Sequence, residues 1–217
     1  MSALIDAILA LDAAAALAEL PGAAHDRDDN GVSALLLARY RGLTDVVSTI
    51  VEGRGPGGLD LCEAAAVDDV ATVGRLLAAG ADPDQRSADG FPALGLAAFF
   101  DAAGAAALLV RAGADVGARA TGAMTVQPLH SAAASPTGAC LPLLVAAGAP
   151  LDEAQARGIT PLHEVAFRAR RPWVELLLAA GADARVRTDD GRTPADLAES
   201  AAVPALAARL REAEAAR

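Results

Sequence analysis

One short phrase recurs along the chain at a nearly constant interval, and this recurrence limits the possible folds more than any other feature. The phrase is a glycine and an alanine followed by aspartate or proline, and its copies lie 33 to 35 residues apart. The glycines that begin the four copies are Gly80, Gly113, Gly148 and Gly181. A period of this length indicates a stack of small structural units, none of which can bury its apolar face without its neighbours.

The clearest unit is GITPLHEVAFRARRPWVELLLAAGAD, residues 158–183. Thr160 is a good N-cap for a first helix, and Pro161 suits the first helical turn, where a missing N–H costs nothing. A second helix is predicted from about Trp173 to Ala180, ended by Gly181 because glycine readily adopts the left-handed conformation found at helix C-termini. The residues that follow are sufficient for an extended finger with a tight turn, so each unit is predicted to be a helix-turn-helix plus one finger.

Composition supports helices throughout and limits the class of partner. The chain has 217 residues, of which 53% are apolar but only 3% aromatic, and much of the apolar content is alanine. Alanine favours helices that pack closely along their backbones, so the sequence predicts an all-α fold. The formal net charge of −10 disfavours nucleic acid and acidic membranes, and it favours a protein partner with a neutral or basic surface.

The cysteines and the N-terminal segment bear on location. Cys62 and Cys140 are far apart, each in an apolar helical context and outside any CxxC motif, which indicates two buried thiols in a reducing compartment. The apolar N-terminal stretch contains Asp6, Asp12 and Glu19 and has no basic leader. It is therefore predicted to be neither a signal peptide nor a membrane span, and a cytoplasmic location is expected.

The pattern as a whole resembles the ankyrin repeat, whose motif DGxTPLHxA and second helix ending in LLxxGAD match residues 158–183 almost throughout. Weaker copies of the motif's start occur as NGVSALLLA from Asn30, DGFPAL from Asp89, VQPLH from Val126 and GRTPADLA from Gly191. The resemblance covers essentially the whole chain and implies an ankyrin-type α-solenoid, a stack of about seven helix pairs including caps, with short β-turn fingers.

In register with this motif, the chain is one domain with terminal caps. The predicted segments are an N-terminal cap at 1–28, repeats at 29–53, 54–86, 87–121, 122–154 and 155–187, and a C-terminal cap at 188–217. Two departures stand out. GRGPGG at 53–58 replaces one finger, which predicts that the junction between the second and third units is the weakest in the stack. About two extra residues near 120–121 are expected to lengthen another finger.

Two histidines raise the question of catalysis. His130 and His163 occupy the last position of the QPLH and TPLH phrases, where the resemblance implies hydrogen bonds that tie neighbouring units together. An acid or base role is the alternative, since histidine titrates near neutral pH. The sequence contains no nucleophile motif and no phosphate loop, so we predict no catalytic residue, no cofactor and no metal.

The few aromatic residues suggest where a partner binds. Tyr40, Phe99 and Phe167 share one late position of the first helix, and the resemblance implies that this position lies on the concave face. The alternative is that these rings pack on the next unit. The complete predicted partner-binding set is Tyr40, Arg41, Phe91, Phe99, Phe100, Asp101, Phe167 and Arg168. The sequence thus predicts a non-catalytic protein–protein interaction module. The alternative is an ankyrin-type scaffold, including an enzyme, with a small-molecule pocket near Phe99, Phe100 and His130.

Overall fold

The computed structural model describes residues 2–55, 57–121 and 125–216, and the helices in this part of the chain follow one another in pairs. They are α1 (Ala3–Leu9), α2 (Ala13–Glu19), α3 (Ala34–Arg41), α4 (Thr44–Arg54), α5 (Leu61–Ala66), α6 (Val70–Ala78), α7 (Ala93–Phe99), α8 (Ala103–Arg111), α9 (Pro128–Ala134), α10 (Leu141–Ala146), α11 (Pro161–Phe167), α12 (Arg171–Ala180), α13 (Pro194–Ser200) and α14 (Pro204–Ala215). The predicted boundary at Gly122, the two chain ends and Pro56 of the GRGPGG segment lie outside the described residues.

The helices begin and end where local chemistry favours it. Thr160 caps α11, accepting the backbone N–H of His163, and Gly181 ends α12 in the left-handed conformation at φ 104°. Both features were predicted. Helix α12 begins at Arg171, two residues before the predicted start, because Pro172 is tolerated in its first turn. Other N-cap side chains that accept a backbone N–H belong to Ser2, Asp12, Ser33, Asp60, Asp69 and Thr193.

The first helix of each pair, hereafter the inner helix, packs on the inner helices of the neighbouring pairs. Contacts run from α1 to α3 and onward through α5, α7, α9 and α11 to α13. In α7 every residue from Ala93 to Ala98 is buried, whereas the outer helix α12 buries only Val174 and Leu177. Small side chains allow inner helices to be covered on several sides at once, which accounts for the alanine content. The fold is all-helical, as predicted.

The fingers are closed by one recurring backbone hydrogen bond. In four of them an N–H donates to the carbonyl four residues further on. These bonds are Asp28 to Val32, Ser87 to Phe91, Gln155 to Ile159 and Thr188 to Arg192. The corresponding N–H of Ala120 instead donates to the carbonyl of Val126, six residues on, at 2.7 Å. The finger that starts at Ala120 is therefore two residues longer than these four.

The segment that replaces a finger is bridged by a buried ion pair. Arg54 at the end of α4 lies 2.7 Å from Glu63 of α5, and their side chains are only 3% and 2% exposed. The Nε of Arg54 also donates to the carbonyl of Ala24, at 2.8 Å, so one side chain joins three consecutive helix pairs. Consecutive inner helices have their smallest contact here, between α3 and α5. The greater weakness of this junction stays a prediction.

Both cysteines are buried and free, as the sequence predicted. The thiol of Cys62 contacts the carbonyl of Gln85, and that of Cys140 lies against the carbonyl of Ala97. Burial raises the pKa of the Cys140 thiol to about 12, so it is neutral and unreactive at physiological pH.

Candidate functional site

Three of the predicted aromatic residues form one cluster. The ring centroids of Phe99 and Phe100 are 5.0 Å apart in an edge-to-face arrangement. Tyr40 lies 5.4 Å from Phe100 and 6.4 Å from Phe99, although it belongs to a helix two pairs away. Aromatic pairs at these distances add to stability beyond the apolar area they bury. The cluster therefore joins the second and fourth helix pairs across the short helix α5.

Polar contacts hold two members of this cluster in place. The hydroxyl of Tyr40 donates to Asp89 at 2.8 Å, and the burial of Tyr40 together with this carboxylate raises its pKa. The guanidinium of Arg39 lies 4.7 Å from the Phe100 ring centroid, and its Nε donates to the carbonyl of Ala66 at 3.0 Å. Tyr40 and Phe100 thus have a packing role, whereas Phe99 remains 38% exposed.

A groove opens beside Phe99 on the face formed by the inner helices and the fingers. It has a volume of about 420 Å³, and its apolar or aromatic lining includes Tyr40, Phe91, Leu96, Phe99, Val126, Ala134 and Ile159. The groove opens because the last residue of α9 is the small Ala134. At the equivalent position, α7 ends with Phe99 and α11 ends with Phe167. We call this cavity the Ala134 groove. Its size falls in the range typical of binding sites.

Phe167 lies outside the cluster, next to the Ala134 groove. Its side chain is 56% exposed, the largest exposure among the large apolar residues that the structure describes. It lines a second cavity of about 410 Å³, which shares Arg157, Ile159 and Glu164 with the Ala134 groove. The two cavities are therefore adjacent, and exposed aromatic side chains border both of them.

The charged members of the predicted set have different surroundings. Arg168 lines the Ala134 groove and pairs with Glu164 at 2.6 Å, while Arg41 is exposed at the end of α3 and does not line the groove. Asp101 accepts hydrogen bonds from the hydroxyl of Ser135 and from the backbone N–H of Thr137, at 2.7 and 2.8 Å. Burial alone would raise the pKa of Asp101, but these hydrogen bonds outweigh burial and lower it.

Asp101 therefore stabilises the turn of the next unit, a role that the sequence did not reveal. The same turn is held from the other side by Trp173, whose indole N–H donates to the carbonyl of Thr137 at 2.9 Å. Trp173 is half-buried, and its ring packs against the core while its N–H lies at this edge.

The two buried histidines join neighbouring units, in agreement with the structural interpretation. The Nε2 atom of His130 lies 3.2 Å from the backbone carbonyl of Ile159, and that of His163 lies 3.2 Å from the carbonyl of Arg192. Each carbonyl is 29 residues further along the chain. Burial lowers the pKa of both rings, that of His130 to about 4, so both are neutral at pH 7. Their Nδ1 atoms differ, because that of His163 contacts the hydroxyl of Thr160 at 2.8 Å while that of His130 has no partner among the described residues.

Comparison with protein families agrees with this architecture. Residues 157–189 match the family model of the ankyrin repeat. The chain contains an ankyrin repeat. Ankyrin repeats are in general protein–protein interaction modules and are typically not enzymes. No curated protein matches the sequence.

Two further features are absent from the described ranges. None of their helices is long and apolar enough to cross a membrane. Across the same ranges, no group of three or more histidine, cysteine, aspartate or glutamate side chains is placed to hold a metal ion.

Proposed function

We propose that the chain binds another protein through the face formed by its inner helices and fingers, the concave face predicted from the sequence. The observation that carries this proposal is the Ala134 groove, which combines an apolar lining with exposed aromatic residues at its edges. Exposed apolar surface gathered in one place is a mark of interaction sites, because isolated monomers tend to avoid it.

We further propose that all seven helix pairs stack as one ankyrin-type solenoid with the boundaries predicted above, the first and last pairs acting as caps. The repeated joints support this. His130 and His163 make equivalent hydrogen bonds to the following unit, and four fingers close with the same backbone bond. In such a stack each unit contacts only its neighbours, and the inner face becomes one continuous surface.

Within that surface the residues have different proposed roles. Phe99 and Phe167 are the anchors, since both are exposed and border the cavities. Phe91 and Tyr40 form groove walls, and Phe100 supports Phe99 from behind. At the rim, Arg41 and Arg168 would contact polar groups of the partner, while Asp101 orders the adjacent turn. Burying an aromatic anchor in an interface commonly contributes about 2 kcal/mol or more.

Charge and redox state suggest the class of partner and the compartment. The net charge of −10 favours a partner surface that is neutral or basic, and it disfavours nucleic acid and acidic membranes. Two buried free thiols favour a reducing compartment, and we propose the cytoplasm. We assign no catalysis: His130, the histidine that lines the Ala134 groove, is neutral and bonded to the neighbouring unit.

Affinity capture from native cells tests this proposal. Phe167→Ala should melt within a few degrees of the wild type, because the side chain is mostly exposed, yet it should retain much less of the captured protein. Val70→Ala, at a 43% exposed apolar residue of the outer helix α6, is the matched control and should capture normally. Equal capture by both variants would count against the surface. A small molecule retained by the purified wild type, with no protein captured, would support the small-molecule alternative instead.

A further inference from the structure

One finger of the stack carries a positive charge at a position where two of its counterparts carry a negative charge. At the third residue of the closed finger, two other fingers have Asp89 and Asp190, and a third has Asn30. The finger that closes from Gln155 to Ile159 has Arg157 there, in the left-handed conformation at φ 66°.

The side chains at this position also differ in what they contact. Asp89 accepts hydrogen bonds from the hydroxyls of Tyr40 and Ser87, and Asp190 pairs with Arg192 at 2.8 Å. The guanidinium of Arg157 is exposed and makes no hydrogen bond or ion pair with any other described residue. This finger begins with Gln155, whereas the two fingers with an aspartate at the third position begin with Ser87 and Thr188, so no hydroxyl here requires an acidic acceptor.

The position of Arg157 connects this charge to the proposed binding surface. It lines both the Ala134 groove and the adjacent cavity beside Phe167. The other charged side chains lining the Ala134 groove are Glu164 and Arg168, which pair with each other. An arginine without a partner, beside an apolar gap, can bind a carboxylate with two hydrogen bonds while an apolar side chain fills the gap.

Resting on the proposed function, we propose that the Ala134 groove binds a segment of a partner protein in which a large apolar side chain stands near an acidic one. The apolar side chain occupies the gap above Ala134 between Phe99 and Phe167, and the carboxylate pairs with Arg157. The net charge of −10 still disfavours a generally acidic partner. The acidic residue is therefore a local feature of a segment that is otherwise neutral or basic, and it fixes the register of binding.

Selection from a displayed library of short random peptides tests this inference with the full chain. Peptides selected by the wild type should be enriched in a large apolar residue with aspartate or glutamate nearby. Arg157→Glu should lose the acidic preference and select lysine or arginine instead. The matched control is Arg111→Glu, which makes the same charge change at an exposed position on the outer helix α8 and should select the wild-type peptides. Ala134→Phe should fill the groove and reduce selection by every chain that carries it.

The affinity of the chain for one selected peptide, measured by fluorescence anisotropy, gives the size of the effect. Loss of a charge-assisted pair should weaken binding about tenfold or more in Arg157→Glu and leave it unchanged in Arg111→Glu. Selected peptides without an acidic preference, or equal weakening by both variants, would overturn the role of Arg157 while leaving the groove as a protein-binding surface. Failure of the folded wild type to select any peptide sequence, or selection that is unaffected by Ala134→Phe, would count against the groove itself.

Discussion

Two junctions between neighbouring inner helices differ in chemistry. The junction of α3 with α5 is held by an ion pair, whereas the junction of α11 with α13 is held by a neutral hydrogen bond. At the second joint a neutral ring, His163, reaches the carbonyl of Arg192, and a regular finger closes beside it. At the first joint the finger is missing, and the buried pair of Arg54 and Glu63 stands in its place. Burying a neutral hydrogen-bonded pair costs little desolvation free energy. Removing either partner of a buried ion pair leaves the other charge buried without compensation, which strongly destabilises the fold. We therefore expect the stack to be most vulnerable where its repeat is least regular, as the sequence predicts.

The largest expected effect concerns Glu63. Glu63→Gln leaves the guanidinium of Arg54 buried without a counter-charge, which should lower the free energy of unfolding by about 3 to 5 kcal/mol. Chemical denaturation of both chains measures this loss. The matched control is Glu153→Gln, which breaks an exposed pair with Arg119 and should cost at most about 1 kcal/mol. Equal losses in the two variants would show that the buried pair is not the special feature of this joint.

The histidine joints should make stability depend on pH. Burial lowers the pKa of His130 from 6.5 to about 4, so the unfolded chain binds more protons than the folded chain between these values. The contribution of His130 to the free energy of unfolding is fully present above about pH 6.5. It falls as the pH is lowered, by about 2 to 3 kcal/mol near pH 4. Unfolding measured across this range should show a shallower dependence in His130→Gln than in the wild type. An unchanged slope would mean that His130 does not titrate as the geometry indicates.

A smaller effect separates the two histidine joints from each other. Thr160 caps α11 and contacts the Nδ1 of His163, whereas Gln127 holds the same position before α9 and gives α9 no side-chain cap. Gln127→Thr should supply both the cap and a partner for the Nδ1 of His130, which raises the free energy of unfolding by about 1 kcal/mol. Thermal melting provides the measurement. The reverse substitution, Thr160→Gln, should lower the free energy of unfolding by a similar amount. A lower stability of Gln127→Thr would show that the hydrogen bond from Gln127 to the carbonyl of Gly117 contributes more than the new cap.

Much of the fold could be predicted because it depends on local sequence. Thr160 and Gly181 identify the ends of their helices by chemistry that acts within one turn, and the finger lengths follow from spacing. The ion pair of Arg54 and Glu63 could not be predicted. It joins Arg54, inside the segment where the repeat is lost, to Glu63 beyond that segment, so no periodic pattern relates the two residues.

The candidate site was predictable only in part, for a related reason. Register placed Tyr40, Phe99 and Phe167 at one position, but register does not reveal which rings pack together. Tyr40 reaches Phe99 because helix α5 between them is short and is followed at the equivalent position only by Val67, its C-cap. Similarly, the sequence placed Asp101 in the partner-binding set and did not reveal its hydrogen bonds to the turn beginning at Ser135, because those bonds depend on how two units stack.

The most direct test of protein binding through the inner face is hydrogen exchange of the chain, free and bound to the protein captured from native cells. We expect slower exchange on binding in the finger at 155–159 and at the C-terminal ends of α7 and α11, next to Phe99 and Phe167. Exchange in the outer helices α8, α10 and α12 should be unchanged. Protection confined to those outer helices, with the finger and the two inner helices exchanging as in the free chain, would contradict binding through the inner face.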